Sequence, residues 1–477
     1  MKRTALIDRD FSPPGSTARA LLGGTPFSIE VPAGLRRRIA RAWLMLGIAA
    51  LVASGVFSVL LVLARAPLVK DLLPAGDFFR VALVVHVDLA VLVWFVAFAG
   101  VLWTLNGRER FMELDRLALA LCALGTAMMS VAPFVSAGEP IMANYVPVIQ
   151  SPLFLAGLCA FGAGFAALTF HALLAAQRIG FAPDGAAALR FGLNTSAVAA
   201  AMAILAFGAS WAGMPEGYFG KPFYELLFWG PGHVIQFTWT LMMLVSWLCL
   251  ATGSGLRVPL SPRLALLLFG IALVAVFCVP PIYLAWPIDA PEHVKMQTWL
   301  MRFGGGLAIL PVVTALGVAI FLAPRADAAQ SPLRAALLAS MFLFALGGAF
   351  GFLINGNDVR VPAHYHGCIV GVTLALMGMT YALLPRLGFG TPDSRLARWQ
   401  PWIYGAGQAL HITGLVWSGG YGVQRKVAGA EQVLRTPQEV AGMGVMGFGG
   451  LVAIVGGLVF LIVVIRALRE VRSEAGA

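Results

Sequence analysis

Long apolar stretches separated by short polar connections make up most of the chain. A helix that crosses a bilayer needs about 20 mostly apolar residues, and twelve stretches meet this requirement. They lie at 39–64, 78–105, 116–136, 149–176, 190–213, 223–252, 263–285, 294–323, 332–355, 361–386, 399–419 and 438–466. The pattern predicts an all-α integral membrane protein. We expect one twelve-helix membrane domain over 39–470, preceded by a tail over 1–38.

Composition and charge agree with this prediction. The chain is 59% hydrophobic and 12% charged, whereas a soluble domain has roughly a quarter of its residues charged. The net charge of +11 does not indicate nucleic acid binding, because the basic residues lie mainly in the tail and the short connections. Of the 33 Lys and Arg residues, 23 fall on the side of the N-terminus, nine on the opposite side and one, Arg302, within a helix. This bias predicts cytoplasmic N- and C-termini.

The cysteines and the N-terminal tail exclude several alternatives. All five cysteines lie in apolar stretches, and none forms a CxxC or CxxCH motif. We therefore expect no disulfide framework, no thiolate zinc site and no covalently attached haem. The tail lacks the apolar core of a signal peptide, so we expect it to remain as a flexible cytoplasmic segment.

Four histidines lie in helices that all run inward from the outer face. They are His86 in the second predicted helix, His233 in the sixth, and His364 and His366 in the tenth. Ionisable residues within a membrane are costly and persist mostly where they have a partner or a function. The shared direction of the helices places all four imidazoles near one layer in the outer half of the membrane.

The two histidines of the tenth helix have a distinctive spacing. Positions i and i+2 are about 200° apart around a helix, so His364 and His366 point to opposite sides. Such a helix can provide a ligand to two separate cofactors, one on each side. The simpler alternative for His86 or His233, taken singly, is a hydrogen bond between helices.

The other polar groups of the helices have simpler interpretations. We expect His171 and His411 to be packing or interfacial residues, and His293 to be a solvated loop residue. Asp88 and Arg302 are candidates for a proton or propionate network within the membrane. The simpler alternative is a buried ion pair or hydrogen bond, which we favour for Asp88.

At the motifs that contain these histidines, the chain resembles subunit I of the haem-copper oxidase superfamily, which includes cytochrome c oxidases and nitric oxide reductases. The resemblance covers nearly the whole chain, because that family also has twelve helices. His86, in Val85-His86-Val87-Asp88-Leu89, matches the family's ligand of the low-spin haem on the second helix. Ala363-His364-Tyr365-His366-Gly367 resembles the motif of the tenth helix. There the first histidine ligates the high-spin haem, and the second completes the low-spin haem.

Two further motifs extend the resemblance. Phe228-Trp229-Gly230-Pro231-Gly232-His233 resembles the sixth-helix motif whose histidine ligates copper B. Arg425-Lys426 resembles the Arg pair that holds the haem propionates, as cations facing carboxylates would. The resemblance implies two haems, which we expect to be b-type, and electron transfer from the low-spin to the high-spin haem for reduction of O2 or NO in a respiratory chain. It also implies a donor subunit that carries haem c or CuA, since the chain has no motif for either.

The copper position departs from the family pattern. The family takes two further ligands from a His-His pair near the outer end of the seventh helix, where this chain has Val279-Pro280-Pro281-Ile282-Tyr283. Phe237 occupies the position of the tyrosine or glutamate that follows the sixth-helix histidine. Only His233 of the family's copper ligands is present, so we expect no stable copper B and poor O2 reduction. The Pro pair is expected to kink or unwind the end of the helix.

Two alternative functions remain open at this point. One is a copper-free electron-transfer or gas-sensing haem protein of the same fold. The other is a twelve-helix secondary transporter, although such proteins tend to contain internal repeats and broken helices. No repeat is visible in the chain.

Overall fold

The computed structural model describes residues 26–63, 65–66, 77–136, 138–427 and 431–470. Twelve helices of membrane-spanning length lie within these residues. They are α1 (Leu35–Leu63), α2 (Phe79–Asn106), α3 (Met112–Val135), α4 (Pro152–Leu174), α5 (Gly185–Ala212), α6 (Gly220–Gly253), α7 (Pro262–Ala285), α8 (Pro291–Leu322), α9 (Ser331–Gly351), α10 (Arg360–Leu383), α11 (Arg395–Gly420) and α12 (Pro437–Arg469). The predicted all-α membrane fold is confirmed, and each predicted span overlaps one helix. Residues 1–25, most of the predicted tail, lie outside the described residues.

Eleven of these helices are long and apolar enough to cross a membrane. The twelfth, α11, has 26 residues but begins with Arg395 and Arg398 and contains Gln400 and Gln408. It packs most extensively against α12 and also contacts α9 and α10. The neighbouring helices therefore cover part of its polar surface.

The helix ends follow the local sequence. Ser151, Asp184, Ser261 and Thr436 each cap a helix by accepting a hydrogen bond from the main-chain N–H three residues later. Proline occupies the first turn of the helices that follow three of these caps, where its missing N–H has no cost. The first helix begins at Leu35, so it includes the end of the segment predicted as the tail.

Two helices form the centre of the bundle. In α6 and α10, 83% and 78% of the most apolar window is buried, compared with 29% in α1 and 28% in α8. The four candidate histidines of the sequence lie on these two central helices and on α2, which is 61% buried. The candidate ligands therefore lie in the interior of the bundle.

Three helices contain irregular turns. A π-helical turn occupies Asp88–Val93 in α2, and another occupies Leu300–Gly304 in α8. In α7, a 3₁₀ turn at Ala275–Cys278 directly precedes the Pro280-Pro281 pair. The predicted irregularity at the end of the seventh helix is thus present, because a proline cannot donate the hydrogen bond that continues the helix.

A short β-hairpin connects α3 and α4. Its strands β1 (Glu139–Ile141) and β2 (Val148–Gln150) pair antiparallel, with Glu139 opposite Gln150. The tip of this hairpin contacts α6, as described below. The membrane-helix pattern did not predict this element.

Candidate functional site

Six of the seven histidines hold their Nδ1 atom in the same way. In each, Nδ1 lies within hydrogen-bond distance of a main-chain carbonyl oxygen. The pairs are His86 with Ser54, His233 with Trp229, His293 with Trp286, His364 with Gly347, His366 with Pro362 and His411 with Met446. A carbonyl only accepts, so Nδ1 carries the proton and Nε2 keeps its lone pair. This is the tautomer in which an imidazole binds a metal through Nε2.

The helix 2 candidate, His86, is fixed by one serine of α1. Its Nδ1 lies 3.1 Å from the carbonyl oxygen of Ser54 and 2.9 Å from the Oγ atom of the same residue. The Ser54 hydroxyl also lies 3.2 Å from the carbonyl oxygen of His86. Ser54 was not predicted as a site residue, because nothing in the sequence shows which residue of α1 faces His86.

His366 lies in a cluster of polar groups where α10, α11 and α12 meet. Its Nδ1 is 3.0 Å from the carbonyl oxygen of Pro362, one turn earlier. Its ring centroid lies 5.5 Å from that of His411, and His86 and Arg65 are close enough to interact with it electrostatically. The structure therefore brings His86 and His366 together. It also places His411, which was predicted as a packing residue, beside them.

Arg65 is a cation of this cluster that sequence reasoning missed. Its Nε donates to Oε1 of Gln432 at 3.1 Å, and it interacts electrostatically with Tyr365. Burial lowers the pKa of Arg65 to about 10, so the side chain remains charged at neutral pH. A half-buried cation close to a proposed haem ligand provides a partner for a carboxylate.

His364 faces the other side of α10. Its Nδ1 lies 2.8 Å from the carbonyl oxygen of Gly347 on α9. The two helices approach closely here, since a Cβ atom on Gly367 would lie 2.4 Å from the Cα of Gly347. The imidazoles of His364 and His366 therefore point to different neighbouring helices, as the i, i+2 spacing predicts.

The two cations predicted to bind propionates have different environments. Arg425 has its Nε atom buried without a hydrogen-bond partner in the part of the chain that the structure describes. Lys426 instead donates to the carbonyl oxygen of Met142 and, at 3.2 Å, to Oδ1 of Asn144 at the tip of the hairpin. Burial lowers the pKa of Lys426 to about 8, and the charge of Arg425 adds to this effect. Arg425 thus keeps one N–H group without a hydrogen-bond partner among the described residues, while the ammonium of Lys426 already has partners.

His233 has a set of neighbours that does not fit a copper ion. Its Nδ1 lies 2.7 Å from the carbonyl oxygen of Trp229. The hydroxyl of Tyr145 lies 2.9 Å from Nε2 and 3.0 Å from Nδ1, and therefore over the face of the imidazole. Among the described residues there is no group of three His, Cys, Asp or Glu side chains that could hold a metal ion. Among these residues His233 therefore has no second and third ligand with which to hold copper.

The expectation for His293 is wrong. The structure places His293 on the first turns of α8 with 2% of its surface exposed, and its ring centroid lies 4.7 Å from that of Tyr283. The helix begins at Pro291, earlier than the apolar pattern predicted, because proline is favourable at a first helical position. His293 is therefore a buried residue between α7 and α8.

The two other ionisable groups of the helices differ from each other. Asp88 is 1% exposed, and neither of its oxygens has a hydrogen-bond partner among the described residues, so the expected ion pair or hydrogen bond is absent there. Arg302 is exposed, with its guanidinium 5.5 Å from the ring centroid of Phe352. It also interacts electrostatically with His364.

Comparisons with known proteins cover most of the chain. The sequence model of a family described as cytochrome c and quinol oxidase polypeptide I matches residues 38–459. An uncharacterised protein of Rickettsia prowazekii is 26% identical over 492 aligned positions, which cover 89% of this chain and 94% of that protein. An uncharacterised protein of Aquifex aeolicus is 29% identical over 348 positions, covering 73% of this chain and 85% of that protein.

Proposed function

The chain belongs to the family of cytochrome c and quinol oxidase polypeptide I, and from this membership we propose that it is a respiratory haem protein of a bacterial inner membrane. We propose that it holds a low-spin and a high-spin haem, expected to be b-type, and that it passes electrons from the first to the second for the reduction of O2 or NO. Membership in this family favours haem binding over the transporter alternative. The bacterial relatives support the proposed location.

One observation carries the proposal. His364 and His366 lie two residues apart on a central helix, point to different neighbouring helices and each keep an Nε2 lone pair. An imidazole of this tautomer is the ligand that haem iron takes from proteins. The donor set therefore fits two haems, one on each side of α10.

The residues of the chain have distinct roles in this proposal. His86 and His366 would hold the low-spin haem, and His364 would hold the high-spin haem. Their Nδ1 atoms donate to carbonyl oxygens, which fixes each ring and raises the basicity of Nε2.

The cations near this site have a separate role. Arg425 and Arg65 would bind the propionates, since both are half-buried cations that interact with Tyr365. Lys426, in the connection between α11 and α12, would contribute positive charge from its position beside the hairpin tip.

The cofactor supplies the redox chemistry when it is bound, and the protein sets its potential through ligand identity, hydrogen bonds and burial. Electrons would come from a partner subunit that carries haem c or CuA. A second candidate function follows from the surroundings of His233. Because no group of three potential metal ligands includes His233 among the described residues, a copper-free electron-transfer or gas-sensing protein of the same fold is also consistent with the site.

The decisive experiment is a reduced-minus-oxidised spectrum of the purified full-length protein. We expect the bands of a low-spin haem, lost in His86→Ala, and a high-spin haem that still binds CO in that variant. His293→Ala is the matched control, because it removes a buried imidazole that we do not propose as a ligand. A wild-type protein without haem after expression with sufficient haem supply would refute the proposal.

A further inference from the structure

An apolar cleft separates α7 from α8. Its volume is about 510 Å³, within the range of about 300–1,000 Å³ that is typical of sites for small molecules. Trp299 and Phe303 in its wall are exposed, so the cleft opens on the surface that faces lipid. The lining residues are Cys278, Pro281, Ile282, Ala285 and Trp286 on one wall, and Met296, Trp299, Leu300, Phe303 and Gly304 on the other.

Contacts between the two helices bound the cleft at both ends. At one end, the ring centroid of His293 lies 4.7 Å from that of Tyr283, and Nδ1 of His293 lies 3.3 Å from the carbonyl oxygen of Trp286. At the other end, a Cβ atom on Gly304 would lie 2.5 Å from the Cβ of Ala275. The helices therefore touch above and below the cleft and leave a space of limited length between them.

The length of this space matches one leaflet of a bilayer. Its walls extend from residue 278 to 286 in α7 and from 304 to 296 in α8, which corresponds to about 12 Å at 1.5 Å per residue. The hydrocarbon core of one leaflet is about 15 Å deep, half of the whole core. An extended acyl chain therefore fits the cleft in both length and apolar character.

A cation lies beside the end of the cleft that is near the start of α8. Lys295 is exposed, and its ammonium lies 4.6 Å from the ring centroid of Trp299, which lines the cleft. Trp is favoured where a membrane meets water, and basic residues there attract the phosphates of anionic lipids. Glu292, one turn before Lys295, reduces this attraction in part. The cation and the cleft together match the two parts of one anionic phospholipid.

We propose that the cleft between α7 and α8 binds one acyl chain of an anionic phospholipid, whose phosphate lies at Lys295. The chain packs against the irregular turns Ala275–Cys278 and Leu300–Gly304, since both contribute lining residues. The lipid thus fills a space between two helices that their own side chains leave open. The inference goes beyond the proposed function and does not depend on haem.

Lipid retention provides the first test. The purified full-length protein is freed of lipid by detergent exchange, incubated with palmitoyl-oleoyl phosphatidylglycerol or the corresponding phosphatidylcholine, and examined by native mass spectrometry. We expect one phosphatidylglycerol to bind more tightly than phosphatidylcholine. Lys295→Met should weaken its binding about fivefold, the effect of one basic residue near an anionic lipid. Lys221→Met, at an exposed lysine of α6, is the control. Equal affinities of the wild type and Lys295→Met would overturn the proposal.

A second variant tests the cleft itself. Ala285 is exposed within the cleft, so Ala285→Trp fills part of the space without replacing a buried side chain. We expect this variant to lose the retained phosphatidylglycerol. Ala123→Trp, at an exposed position of α3, is the matched control and should retain it. Retention by Ala285→Trp as strong as that of the wild type would contradict binding in the cleft.

Two free cysteines report where the chain lies in the wild-type protein. Cys278 lines the cleft at the end near Gly304, whereas Cys159 is on α4, and both are exposed. Modification by N-ethylmaleimide is followed for each thiol by peptide mass spectrometry at increasing phosphatidylglycerol, with haem content measured in the same samples as a separate test of the proposed function. We expect the lipid to slow modification of Cys278 and to leave that of Cys159 unchanged. Equal slowing of both thiols would mean that lipid only coats the surface, and would overturn the proposal.

Discussion

The Oγ atom of Ser54 lies 2.9 Å from Nδ1 of His86, and the main-chain carbonyl of the same serine lies 3.1 Å from that nitrogen. One residue of α1 thus holds the imidazole of α2 through two oxygens. Ser54 is 3% exposed, so no water competes freely for these hydrogen bonds. The orientation of the proposed low-spin ligand therefore depends on a residue of another helix.

Replacing Ser54 with Ala should weaken haem binding without removing the ligand. Outer-shell partners of a ligating histidine typically contribute about 10- to 100-fold in affinity, but the carbonyl of residue 54 remains in the variant. We expect the affinity for haem to fall about tenfold, near the lower end of this range, and the midpoint potential of the low-spin haem to shift. Redox titration and haem titration of the apoprotein measure the two effects.

Ser58→Ala is the matched control for Ser54→Ala. Its hydroxyl donates to the carbonyl of Gly55 within α1 and contacts no histidine. Equal effects of both variants would show that the loss comes from α1 itself and not from the contact with His86.

The fold was predictable because a membrane-spanning helix is a property of a continuous segment. Twelve apolar windows located the helices, and errors are confined to their ends, where proline extends α8 outward by three residues. That small error changed the interpretation of His293 from a solvated loop residue to a buried one. The hairpin between α3 and α4 has strands of three residues, too short for a periodic pattern to reveal them.

The candidate site was predictable only in part. The i, i+2 spacing predicted that His364 and His366 point in opposite directions, because the relative direction of two side chains on one helix depends only on their spacing. The contacts of Tyr145 and Arg65 join residues 88 and 367 positions apart, and no local pattern contains that information. Lys426 was predicted to bind a propionate because of its charge, whereas in the structure its ammonium donates a hydrogen bond to Asn144 of the hairpin.

The topology is tested by reporter fusions. Both termini should be cytoplasmic, because 23 of the 33 basic residues lie on that side. A cytoplasmic reporter fused after Ala477 should be active. A periplasmic reporter fused after Asp289, in the connection between α7 and α8, should be active as well. The reverse pattern of activities would refute the predicted orientation.

Asp115 should be important for stability. It is fully buried and accepts hydrogen bonds from Nε1 of Trp43 at 2.9 Å and from the hydroxyl of Thr104 at 2.7 Å. Asp115→Ala leaves both buried donors unpaired, at a cost of about 1–3 kcal/mol for each. We expect a loss of about 2–6 kcal/mol in the free energy of unfolding, measured by denaturant titration in detergent.

His171→Leu is the contrasting variant. Neither nitrogen of His171 has a hydrogen-bond partner among the described residues, although Nδ1 lies 3.9 Å from Asp115. Removing an unpaired buried polar group costs little, so we expect a change of less than about 1 kcal/mol. A large loss in this variant would mean that the imidazole and the carboxylate form a strong ion pair.

Lys426 should give stability a defined pH dependence. Its ordinary pKa of 10.5 falls to about 8 in the folded protein. As the pH rises, Lys426 therefore loses its proton at a lower pH in the folded state than in the unfolded state. Between pH 8 and pH 10.5 the unfolded state binds more protons than the folded state. Stability should rise with pH from about 8 to 10.5 relative to Lys426→Met, and the difference should be constant below pH 8. Thermal unfolding across this range, without added lipid, measures it, and the exposed Lys295→Met is the control.

The last prediction separates the two histidines of α10. If each holds a different haem, His366→Ala should lose the low-spin spectrum and keep a haem that binds CO. His364→Ala should lose CO binding and keep the low-spin spectrum. The physical reason is that His366 faces His411 on α11 while His364 faces Gly347 on α9, so removing one imidazole leaves the other pocket intact. Tyr365→Phe, which changes the residue between them without removing a nitrogen, should keep both spectra. Loss of both haems in each single variant, with thermal unfolding as cooperative as in the wild type, would show that the two imidazoles serve one site.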